Sequence, residues 1–119
     1  VISGVGVVAP NGVGAAEFWA NCRNGVSGIG PIRSFDPCNH PVRVAGEVTG
    51  YDAAQYLPES QRKAVKHMGR AAQLGVGAAG LAVTDSGLDL AATDPERVGV
   101  VMGAGVVPVD LGELAPMLA

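Results

Sequence analysis

Apolar and small residues run almost without a break over residues 1–9, the pattern of a strand covered on both faces in a parallel sheet. Pro10, Asn11 and Gly12 then end it with turn chemistry. Over residues 15–24 the period changes. Phe18, Trp19 and Cys22 fall at helical spacing, and Gly25 stands where a helix C-terminal cap is expected. Residues 25–50 are dense in Gly, Pro, Ser, Asp and Asn, an elaborated excursion with one alternating piece over residues 42–48 that predicts a short strand. A helical turn follows over residues 51–57. Pro58, Glu59 and Ser60 open the longest helical pattern, which runs to about Thr84 with an apolar stripe at Val65, Met68, Ala72, Val76, Ala79 and Val83. Asp85, Ser86 and Gly87 close it. Residues 88–95 read as a connection, and Val98, Gly99, Val100, Val101 and Met102 as a second apolar strand ending on Gly103, Ala104 and Gly105.

A strand, a long crossover helix and a strand make a βαβ unit, which implies a parallel sheet with a right-handed connection. Two strands cannot cover their own faces and edges, so the pattern predicts partners from elsewhere. Gly69, Gly75, Gly77 and Gly80 each cost an exposed helix interior about 1 kcal/mol relative to Ala. Close packing of a neighbouring element is the expected offset. Val1 already stands in strand pattern, and residues 116–119 follow an incipient helix with no stop signal, so both ends are expected to be internal to a longer chain.

Composition narrows the classes. At 48% apolar and 16% charged residues the chain is expected to be ordered, near the size of one domain. With 18 glycines and 4% aromatics, its core is expected to be rich in Val and Ala. A net charge of −3 and the absence of any Lys/Arg block set nucleic acid aside as main partner. Apolar stretches stop short of the ~18–20 residues of a membrane span, and no signal segment precedes them, so a cytoplasmic protein away from the membrane is expected. Cys22 and Cys38 have no CxxC spacing, which leaves reduced thiols and no metal site.

Several residues invite chemical readings. Gly4, Gly6 and Ala9 satisfy the dinucleotide fingerprint formally, but Val7 and Val8 continue a strand where a helix should start. Strand and turn architecture is the expected role. Cys38 and His40 suggest a thiol and its base, yet they lie in a Pro-bounded loop with no helix N-terminus to stabilise a thiolate. Solvated loop residues are expected there, with Cys22 in the core and His67 on the surface. Asp89, Asp94 and Glu96 read as turn carboxylates before a strand. No constellation joins nucleophile, base and oxyanion donors, so no catalytic residue is assigned.

The order of words along the chain carries a resemblance. Residues 1–14, Phe18 and Trp19, Gly25 with Ser27, Gly28 and Ile29, Phe35 and Asp36, residues 42–48, residues 85–88 and residues 94–100 together resemble the N-terminal part of the condensing enzymes, the β-ketoacyl-acyl-carrier-protein synthases. The resemblance implies an α/β, thiolase-like layered αβαβα fold. Residues 1–119 would be the first part of its N-terminal half, a partial domain with the C-terminal domain absent. It also implies an acyltransferase that extends acyl chains by decarboxylative Claisen condensation, with acyl-carrier protein as partner, usually as a homodimer and without a cofactor. The family's Cys and two His follow the region matched here, so the fragment alone is expected to be inactive. Where the family lines its acyl pocket, this chain has residues 103–108, which makes Val106 the candidate gate; the other reading is a strand-end turn with a buried Val.

Two words depart from the family's pattern: Met68, Gly69 and Arg70 lack an acidic residue, and Val107 and Pro108 replace glycines. They leave room for a catalytically silent chain-length-factor-like partner that acts by heterodimerisation. Because two principal strands have uncovered faces, the isolated 119 residues are expected not to fold stably. Scanning calorimetry of the isolated chain checks this, and a cooperative monomeric transition contradicts it.

Overall fold

The computed structural model describes residues 1–105. The chain enters extended and pairs first at β1 (Val8–Ala9), which forms an antiparallel hairpin with β2 (Gly12–Val13) around Pro10 and Asn11. The Gly14 amide adds a bond to the Val7 carbonyl at 2.8 Å. Helix α1 (Ala15–Arg23) follows, where the Glu17 carboxylate in its first turn accepts from the Val13 amide at 3.0 Å. Gly25, at φ 69°, turns the chain away just beyond the helix, as the sequence predicts.

The expected strand over residues 1–9 is reduced to its last two residues. Residues 4–6 lie against helix α2 (Arg70–Ser86) instead of in a ladder. A Cβ on Gly4 would overlap the Ala82 carbonyl and the Ser86 amide, and one on Gly6 would overlap the Ala78 carbonyl. Val5 donates its amide to the Asp85 carboxylate at 2.8 Å. Glycine is required at both positions because backbone meets backbone.

In the excursion, β3 (Ile29–Pro31) pairs antiparallel with β4 (Val44–Gly46), so the strand expected over residues 42–48 forms at its centre. The predicted turn appears as a 3-10 helix, Ala53–Tyr56, whose N-terminus is capped by Asp52. The single helix expected over residues 58–84 is broken. A 3-10 helix, Glu59–His67, ends at Met68, and α2 begins at Arg70. Met68 is extended, at φ −95° and ψ 129°, and Gln73 Nε2 reaches back to the Met68 carbonyl at 2.9 Å. A side chain therefore takes an acceptor that continuous helix would use. Gly87, at φ 66°, ends α2 in the left-handed conformation, as expected.

Close packing accounts for three of the four helix glycines. A Cβ on Gly77 would overlap Tyr51 Oη, one on Gly80 would crowd the Tyr56 carbonyl at 2.8 Å, and one on Gly75 would meet the Met102 methyl at 2.8 Å. Gly69 lies before the helix in open space and has no such role. Tyr51 donates from its hydroxyl to the Gln73 carbonyl at 3.0 Å, and its ring stacks on Tyr56 with centroids 5.6 Å apart. Burial pushes the Tyr51 phenol above its ordinary value, and Tyr56 adds to the rise.

The second expected strand does not pair. After a short 3-10 turn, Pro95–Arg97, residues 98–102 have no ladder among the described residues, with Val100 84% and Val101 100% exposed. Both ladders among the described residues are antiparallel pairs, so the expected parallel βαβ unit is not formed there. The Val- and Ala-rich core is likewise reduced: among the described residues, Ala53 is the buried hydrophobic side chain. The apolar pattern has formed elements without covering them.

Gly77→Ala is expected to destabilise the intact protein by about 1–3 kcal/mol, because the overlap with Tyr51 outweighs the propensity gain of about 1 kcal/mol. Denaturant midpoints check this. In the Tyr51→Ala background most of the cost should disappear, whereas a stabilising Gly77→Ala in the native background contradicts the packing.

Candidate functional site

Of the residues nominated from sequence, Val106 lies outside the described residues. The segment leading toward it, residues 98–105, is exposed, and the Met102 side chain lies beside α2 at Gly75. Cys22 is exposed and not in the core as expected, because α1 buries none of its residues and leaves Trp19 63% exposed. Its sulfur accepts from Asn11 Nδ2 at 3.5 Å. Cys38 and His40 are loop residues, as expected. The Cys38 amide bonds Asp36 Oδ1 at 3.0 Å, and the His40 ring packs edge-on to Phe35 at 5.4 Å. His67 is exposed at the end of the 3-10 helix.

Asp89 and Asp94 do turn work. Asp89 Oδ1 accepts from the Ala91 amide at 2.9 Å, and Asp94 Oδ1 accepts from the Glu96 amide at 3.0 Å. The dinucleotide reading of Gly4 and Gly6 fails on geometry, since helix backbone fills the space a pyrophosphate would need. Among the described residues no group of three or more His, Cys, Asp or Glu could hold a metal ion, and no helix is long and apolar enough to cross a membrane.

Sequence reasoning missed a groove between the β1–β2 turn and the β3–β4 pair. It has a volume of about 300 Å³ and is lined by Pro10, Ser27, Gly28, Arg33 and Glu47 among others; a neighbouring hollow of about 260 Å³ shares Pro10, Ser27 and Thr49. The hairpins approach so closely that a Cβ on Gly28 would lie 2.6 Å from the Asn11 amide, and one on Gly46 2.9 Å from the Pro10 ring. Glu47 ties the wall together. Its carboxylate accepts from the Ser34 hydroxyl and from the Arg33 and Ser34 amides at 2.8 and 3.0 Å. Those bonds, the hydroxyl's first, hold the carboxyl below its ordinary value of 4.5. No periodicity marks such a long-range clamp in the sequence.

The groove supplies polar walls but no nucleophile beside a base, so it can seat a group and cannot by itself turn one over. A second feature is electrostatic. Arg62, Lys63, Lys66 and Arg70 are four of the eight Lys and Arg residues, all exposed within one short stretch of a chain of net charge −3.

The chain belongs to the β-ketoacyl synthase family: residues 1–114 match the model for the "Beta-ketoacyl synthase, N-terminal domain". It is 41% identical over 113 residues to the tetracenomycin polyketide synthase ketoacyl synthase beta subunit of Streptomyces glaucescens, covering 95% of this chain and 27% of that protein. The alpha subunit of the same system is 42% identical over 106 residues, covering 89% and 24%. The 3-oxoacyl-[acyl-carrier-protein] synthase 2 of Synechocystis is 34% identical over 106 residues, covering 89% and 25%. Among solved structures, the ishigamide ketosynthase/chain length factor superposes with a TM-score of 0.62 at 36% identity, over 75% of this chain and 21% of that one. The chain thus has the α/β character of a ketosynthase segment and spans about a quarter of the length of the curated relatives it matches.

Glu47 gives a pH-dependent expectation. A depressed folded-state pKa contributes stability that is fully present above the unfolded value and is lost as pH falls through the folded one. Acidification below 4.5 should therefore release the turn at Arg33 and Ser34. NMR protection factors of these two amides should show an acid step that Glu47→Gln lacks; a step that survives the substitution contradicts the clamp.

Proposed function

We propose that this chain is the first part of the N-terminal half of a condensing enzyme, and that the intact protein has the layered αβαβα arrangement of thiolase-like folds. The observation that carries this reading is the family match over residues 1–114. The intact protein would act as a cytoplasmic acyltransferase of fatty-acid or polyketide synthesis, with acyl-carrier protein as its partner and a second synthase-type subunit across a dimer interface.

In the reaction, a cysteine thiolate attacks the acyl thioester, takes the acyl group and releases the carrier's pantetheine thiol. The bond between the malonyl carboxylate and its α-carbon then breaks, carbon dioxide leaves, and the carbanion attacks the acyl-enzyme carbonyl and expels the thiolate. Two histidines and backbone donors would stabilise the charge that develops on oxygen. None of these groups is assigned to residues 1–119: Cys22 accepts a bond from an amide side chain, Cys38 sits in an Asx turn, and neither has a histidine in a catalytic pairing. The residues present would form the outer wall and the approach to the acyl pocket, with Val106 at its gate.

A second reading is favoured by two matches, the ketoacyl synthase beta subunit and the ketosynthase/chain length factor structure. In it the intact protein is a catalytically silent subunit that shapes the pocket of a heterodimer. Incubating the intact protein with acyl-loaded carrier protein separates the two. The enzyme is expected to gain the acyl mass on one cysteine and then release carbon dioxide from malonyl-carrier protein. No acylation, together with a stable heterodimer with an active synthase, supports the silent partner; neither outcome overturns both.

A further inference from the structure

The stripe from Val65 to Val83 keeps one helical period from end to end, yet the backbone along it is in two pieces. The first piece is a 3-10 helix of nine residues, Glu59–His67, with no residue buried; such helices seldom exceed three or four residues. The second piece begins at Arg70 with no side-chain cap, which leaves the amides of Arg70, Ala71 and Ala72 without the acceptors that a preceding helical turn would provide. Between the pieces, Gly69 sits at φ −61° and ψ 158° with open space where a Cβ would be.

Two side chains hold this arrangement. Gln73 Nε2 donates to the carbonyls of Met68 at 2.9 Å and Val65 at 3.4 Å. In an uninterrupted α-helix those carbonyls would accept from the amides of Ala72 and Gly69. Arg70 Nη2 donates to the Val48 carbonyl at 2.6 Å while its guanidinium lies 5.5 Å over the Tyr51 ring. Gln73 therefore favours the break, Arg70 fixes the start of α2 against Val48 and Tyr51, and the sequence period favours closure.

We propose that Met68–Gly69 is a two-state joint, held open by Gln73, whose closed state fuses the 3-10 segment to α2 as one α-helix. Closing it shortens the nine-residue segment from roughly 18 Å to roughly 13 Å, at rises of 2.0 and 1.5 Å per residue. It also brings Lys63, Lys66, His67 and Arg70 onto one helical face. The joint thereby resets the spacing of the densest cationic stretch of the chain. It is a property of this backbone whichever reaction the intact protein performs.

Opposed substitutions at the junction test it in the intact protein. Gly69→Pro fits the open state, because proline takes the observed φ and prefers an extended residue before it, as Met68 is; it also forbids fusion. Gly69→Ala combined with Gln73→Leu removes the latch and favours helix. Hydrogen exchange should slow about tenfold or more at the amides of residues 70–72 in the Ala/Leu variant and stay at the native rate in the Pro variant. Equal exchange at these amides in both variants, with residues 77–83 still protected, overturns the proposal. If residues 77–83 lose protection in the double variant, Gly69→Ala alone is read in the same way, and an unchanged rate at 70–72 overturns it.

Discussion

Helix α2 is approached at backbone distance from two sides, and the rest of the described structure hangs on those approaches. On one side Gly4 and Gly6 bring the entering chain against Ala78, Ala82 and Ser86; on the other, Gly77 and Gly80 admit Tyr51 and the Tyr56 carbonyl. An added Cβ at Gly4, Gly6 or Gly80 meets backbone, and one at Gly77 meets the Tyr51 hydroxyl that is bonded to the Gln73 carbonyl. Gly77 and Gly80 lower the intrinsic helix stability of α2 and admit the first 3-10 turn, while Gly4 and Gly6, outside the helix, admit the opening segment. Asp85 and Tyr51 anchor the same two contacts with long-range bonds, to Val5 and to the Gln73 carbonyl.

That arrangement leaves much apolar surface outward. Ile2, Trp19, Val100, Val101 and Met102 are exposed, while Ala53 is the buried hydrophobic among the described residues. A sequence at 48% apolar composition has the material for a core that the described residues do not close. In the proposed reading this surface is interior to a larger layered unit. The groove at Pro10, Ser27 and Glu47 would then be part of its outer architecture, held by a carboxylate clamp with no catalytic group beside it.

Local signals were legible where local physics decides. Gly25 and Gly87 mark the ends of α1 and α2 because both need positive φ, and Asp94 marks its turn because a short carboxylate caps the next amides. A strand pattern does not by itself make a ladder, because a ladder depends on a partner that no local pattern specifies. Residues 1–7 and 98–102 have strand composition, and neither enters a ladder among the described residues. The long helix was over-extended for a different reason: the stripe from Val65 to Val83 keeps its period through Met68 and Gly69, while Gln73 takes the carbonyls that continuity would use. The site was legible mainly as an exclusion. Cys38, His40, Asp89 and Asp94 do the loop and turn work expected of them, Cys22 is exposed instead of buried, and Val106 falls outside the described residues.

The central claim is that the exposed apolar segments of this chain are interior surfaces of a larger condensing-enzyme fold. Hydrogen exchange at the amides of residues 98–102, measured on the intact protein and on this chain alone, tests it most directly. Strong protection in the intact protein and rapid exchange in the isolated chain are the predicted result. Rapid exchange at these amides in the intact protein, with α2 still protected, would contradict it.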